Sequence, residues 1–116
     1  MSADDASQYP ADPAYLQILA ESLHLYGMLC DKLANYGAAL AGYTRALEIP
    51  NSLGLQIKVA VEYSHIGVVY GRLGDHLTSV QHLLEAFKIH EDYGDIARQA
   101  YILNNLGFTH VLINQH

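Results

Sequence analysis

Apolar residues recur along this chain at intervals of three and four. Leu16, Leu19, Leu23, Tyr26, Cys30 and Leu33 mark the first such run, and the same rhythm continues almost to the end. That spacing puts one apolar stripe on a helix, and no alternation long enough for a strand interrupts it. The pattern therefore predicts an all-α chain. Asp12-Pro13 opens the first helix as a cap followed by proline in the first turn, and residues 1–12 read as a disordered lead-in.

Displacing the sequence by 40 residues brings similar residues into register. Ala20, Ala60 and Ala100 coincide, as do Gly27, Gly67 and Gly107, and Leu33, Leu73 and Ile113. Asn35 matches Asp75, Ala46 matches Ala86, and Ile49 matches Ile89. Each unit reads as two antiparallel helices, A then B. Helix A is expected over 13–33, 53–73 and 95–115, and helix B over 36–49 and 76–91, with the third copy ending halfway at His116. The units span about 13–52, 53–92 and 93–116. Gly74 suits a left-handed helix end, and Asn35 and Asp75 suit the caps that follow. A glycine inside a helix costs about 1 kcal/mol against alanine. Its recurrence at 27, 67 and 107 predicts a close helix crossing, with Ala39, Ala46 and Ala86 facing it and Tyr43 and Leu83 filling the space between.

Repeat 2 carries Tyr63, Ile66-Gly67, Tyr70, Gly74-Asp75, Ser79, Leu83 and Ala86, and in this it resembles a tetratricopeptide repeat. Repeat 1 is similar through Leu23, Tyr26-Gly27, Ala39, Tyr43 and Ala46, with Cys30 where the aromatic usually sits. Repeat 3 offers Leu103, Leu106-Gly107 and His110. The unit is about six residues longer than the ordinary one, and the surplus falls between Ala46 and Ala60 and between Ala86 and Ala100. Both helices at that junction should be lengthened. This long-period form looks like that of kinesin light chains and bacterial sensory regulators. The resemblance implies a right-handed superhelical array of antiparallel helix hairpins, about two and a half units and five helices.

It also implies a function. In such arrays the A helices line a concave groove for peptides. Carried over by position, the groove residues are His24, Met28, Asp31 and Lys32, then Ser64, Val68, Gly71 and Arg72, then Asn104, Phe108 and Val111. The expected role is a protein or peptide interaction module, a sensory or scaffold part of a larger bacterial-type regulator. The third unit lacks its helix B, so Leu103, Leu106, His110 and Leu112 are expected to face a partner outside it. The alternative is thus a structural domain that forms a homodimer through the C-terminal helix.

Composition narrows the field. Twelve acidic against six basic residues leave a net charge of −6, which disfavours nucleic acid and anionic membrane surfaces. The apolar runs are too short for a membrane span, the first residues do not form a secretory signal, and the lone Cys30 suits a reducing cytoplasm. Cytoplasmic localisation is the expectation. Seven histidines raise the question of a metal, but His76, His82 and His90 stand six and eight apart and His24, His65 and His110 fall on different helices. Glu62 with His65, and His82 with Glu85, share a helical face as local pairs at most. Cys30 reads as a small buried hydrophobe. "HEDYGD" at 90–95 lacks the ligand alternation of a calcium loop, and no glycine loop suits phosphate. No catalytic residue, metal or cofactor is expected.

Overall fold

A computed structural model describes residues 12–114, and their side chains as far as residue 110. Of the expected lead-in at 1–12, residues 1–11 lie outside the described residues, and Asp12 is instead the ordered N-cap of the first helix. Five helices follow one another: α1 Pro13–Lys32, α2 Tyr36–Ser52, α3 Gln56–Arg72, α4 His76–Asp92 and α5 Ile96–Asn114. No strand occurs among the described residues. Each helix packs on the next in the chain, and α3 also touches α5. Asp12 caps α1 by accepting from the Ala14 N–H at 2.9 Å, with Pro13 in the first turn.

All four turns are the same turn. Ala34, Gly54, Gly74 and Gly94 hold positive φ, at 60°, 73°, 85° and 68°. The residue after each donates its N–H five residues back, at 2.8–3.0 Å: Asn35 to Cys30, Leu55 to Pro50, Asp75 to Tyr70 and Asp95 to His90. This is a Schellman ending, which satisfies helix carbonyls that would otherwise lack donors. Asn35, Asp75 and Asp95 then cap the next helix with their side chains, whereas Leu55 offers none. The long-period surplus goes where expected on one side of the junction only. Helix α2 runs three residues past 49, through Pro50, while α3 starts at Gln56 and not at 53 because the Gly54 turn precedes it.

Among the described residues two clusters make the core. Cys30, Ala39, Tyr43, Ile66 and Val69 join α1, α2 and α3, and Ala60, Leu83, Ala86 and Ile102 join α3, α4 and α5. The internal glycines explain how the helices come so close. A Cβ on Gly27 would lie 2.8 Å from the Tyr43 ring, and one on Gly67 would lie 2.9 Å from Leu83. A Cβ on Gly107 would meet nothing within 4 Å. The same substitution should therefore have opposite signs at equivalent sites. Gly27→Ala is expected to lower the unfolding free energy by about 1–3 kcal/mol through overpacking. Gly107→Ala is expected to raise it by up to about 1 kcal/mol through helix propensity. Urea titrations of the two variants check this; shifts of the same sign would refute the close-approach account.

Candidate functional site: a groove across α1, α3 and α5

Four adjoining cavities form one groove. The first, about 310 Å³, lies between α1 and α3 over Ala46 and Pro50, with His24, Lys58 and Glu62 in its walls. The second, about 230 Å³, shares Val61 with it and adds Ser64, His65, His90, Arg98 and Tyr101. The third, about 200 Å³, shares His65 and Tyr101 with the second and holds Met28, Asp31, Lys32 and Tyr43. The fourth, about 320 Å³, shares Val68 and Arg72 with the third and reaches His76, Asn105 and Phe108. The lining repeats at the sequence period: His24 with Ser64, Lys58 with Arg98, Met28 with Val68, Tyr43 with Leu83, His65 with Asn105.

Most of the positions carried over from the sequence lie here. His24, Met28, Asp31, Lys32, Ser64, Val68, Gly71, Arg72 and Phe108 all line the groove. Asn104 lines none of these cavities and is exposed, while its neighbour Asn105 takes the place in the wall. Positions of the 24 and 64 type face the following A helix, and no such helix stands beside α5 among the described residues. The side chains of Val111 and Leu112 lie outside the described residues.

Three of the expected ligand contacts, His24, Asp31 and Arg72, are instead occupied by protein. His24 Nδ1 lies 2.8 and 2.9 Å from the two carboxylate oxygens of buried Glu62, tying α1 to α3. Asp31 and Arg72 form a second tie between the same helices. Glu62 thus reaches across 38 residues to His24, not along its own helix to His65. His82 likewise does not pair with Glu85: its Nδ1 donates to the Thr78 carbonyl at 2.9 Å and its ring stacks on Tyr70. The imidazole of His65 lies flat on Tyr43, with centroids 5.1 Å apart and planes at 12°, and sits 4.7 Å from His24.

Burial sets the protonation of this cluster. It pushes His65 down to about 4, with nearby His24 adding to the shift, so His65 is neutral at physiological pH. It pushes the Tyr43 phenol up to about 12, helped by Asp31. Glu62 is raised by desolvation, against the opposing pull of His24. The groove therefore has a neutral aromatic floor around Tyr43 and His65, flanked by paired charges and by Lys32 and Lys58. Among the described residues no group of three His, Cys, Asp or Glu side chains is placed to hold a metal ion, and no helix is long and apolar enough to cross a membrane.

The residues expected to face a missing partner divide. Leu103 is 55% exposed. Leu106 packs against the Ala60–Leu83 cluster, because α4 already covers that side of α5. His110 is exposed. Compared with models of protein families, with curated proteins and with solved structures, the chain matches none.

Proposed function

We propose that the chain is a non-catalytic interaction module whose groove takes an extended peptide or protein segment. In this reading it is a right-handed superhelical array of antiparallel hairpins of the tetratricopeptide type. It acts as the sensory or scaffold part of a larger bacterial-type regulator in the cytoplasm. The single observation that supports it most is the groove's continuity, one surface with a repeating lining that crosses α1, α3 and α5. Phe108 places an apolar side chain in the fourth cavity and Met28 one in the adjoining third, with donors from Asn105 and Lys32 beside them and from Lys58 in the first cavity. The tied pairs His24–Glu62 and Asp31–Arg72 suit struts that hold the walls apart at a fixed distance.

The test selects peptides from a random display library on the full chain and measures their affinity by fluorescence anisotropy. Phe108 is 64% exposed, so Phe108→Ser leaves the core alone. It is expected to weaken selected peptides at least about tenfold, roughly 1.4 kcal/mol, with unchanged circular dichroism. No enrichment, or binding indifferent to Phe108→Ser and to Met28→Ser, rules the groove out. A second reading, assembly through α5, is favoured by exposed Leu103 and by the open space over Gly107. Leu103→Glu would abolish that assembly and leave peptide binding intact.

A further inference from the structure

A separate apolar surface lies on the outer side of α1, away from the groove. Tyr15, Ile18, Leu25, Tyr26, Leu29 and Leu33 are each between 45 and 72% exposed. Their spacing, through Ser22, keeps them within one arc of the helix away from Gly27, which faces the core, with Tyr26 at the edge of the arc, one turn from Cys30 and beside Gly42 of α2. No charged residue falls in the stripe. Glu21 and Lys32 flank it on the groove side, where they line cavities.

The area is large for a monomer. At roughly 200 Å² for a large apolar side chain, these six present on the order of 700 Å². The largest apolar patch on a typical monomer is about 300–600 Å², and a stable interface takes about 800 Å² per partner. Equivalent positions show what such residues do when covered. Ile66 and Val69, one period beyond Tyr26 and Leu29, are buried in the cluster that joins α3 to α2.

We infer that α1 is the interface of a symmetric dimer, its outer stripe packed on the same stripe of a second copy. A two-fold axis across the helix sets the two α1 helices antiparallel, with opposed dipoles. Two copies that each carry −6 must meet on a surface free of carboxylates, and this stripe is one. The interface leaves the groove open, so the inference does not depend on what the groove binds.

Sedimentation equilibrium of the full chain, from about 1 to about 200 μM, tests it. The expected result is a dimer with a dissociation constant in the low micromolar range or below. Leu25→Glu, at a site 56% exposed, and Ile18→Glu, at one 65% exposed, should each weaken it at least about 100-fold without changing the far-ultraviolet spectrum. Leu103→Glu should leave it dimeric. A wild-type monomer throughout the range overturns the inference. So does an oligomer that keeps its mass with Leu25→Glu and Ile18→Glu, or one that only Leu103→Glu dissociates.

Discussion

Replacing Tyr43 by alanine is expected to lower the unfolding free energy by about 3–5 kcal/mol. The ring is 1% exposed and fills the gap that Gly27 leaves between α1 and α2. It also touches the third helix, since it shares a cluster with Ile66 and Val69 and carries His65 on its face. Its removal opens a cavity at the point where three helices meet, beside Met28. A domain of this size has about 5–15 kcal/mol in all, so the variant sits near the edge of folding. Urea unfolding followed by circular dichroism measures the change, with an unaltered slope confirming that the same surface unfolds. Tyr43→Phe is the control and should cost less than about 1.5 kcal/mol. A loss below that for the alanine variant would mean that the ring is not the keystone of this crossing.

The second large effect is with pH. His65 is held down to about 4 in the folded chain, against an ordinary value near 6.5. A depressed pKa means that the unfolded chain binds the proton more readily, so the stabilisation is present above about 6.5 and is lost as pH falls toward 4. The shift corresponds to about 3 kcal/mol over that window. His90, lowered by burial, changes in the same direction. Glu62 opposes them, because its raised pKa favours proton uptake by the folded state and offsets part of the loss at the acid end. His65→Phe keeps a flat ring on Tyr43 and removes the titration. It should flatten the stability profile between pH 7 and pH 4 by about 2–3 kcal/mol, read from urea titrations at half-unit steps. An unchanged slope would place the acid sensitivity elsewhere.

Much of this was legible from residue spacing. The three-and-four rhythm gives five helices, and the 40-residue register picks out Gly27 and Gly67 as points of close approach, but it marks Gly107 equally, where a Cβ would meet nothing within 4 Å. The turns were only half legible. Gly74 stands out beside Asp75, but Leu53-Gly54-Leu55 looks like the interior of an apolar run, and only the backbone shows it as the same turn. The cross-helix ties were not foreseen. His24 with Glu62, and Asp31 with Arg72, are 38 and 41 residues apart, and no linear motif links such positions. A charge pair separated by nearly one full period is the signal that would have found them. Asn104 fails for a different reason: its equivalents His24 and Ser64 owe their place in a wall to the next helix along, which position 104 lacks among the described residues. The outer stripe of α1 was visible as leucines in sequence, yet an amphipathic pattern alone does not say which apolar positions remain uncovered.

The identical turns at 34, 54, 74 and 94 bear on how the chain reaches this state. Because helices pack mainly on their neighbours in sequence, nearly every contact closes a loop of one turn and two helices. The entropy lost in closing such short loops is small, and chains dominated by local contacts fold quickly. A nascent chain can form α1 against α2 while α4 is still being made, and each later helix finds its seat already built.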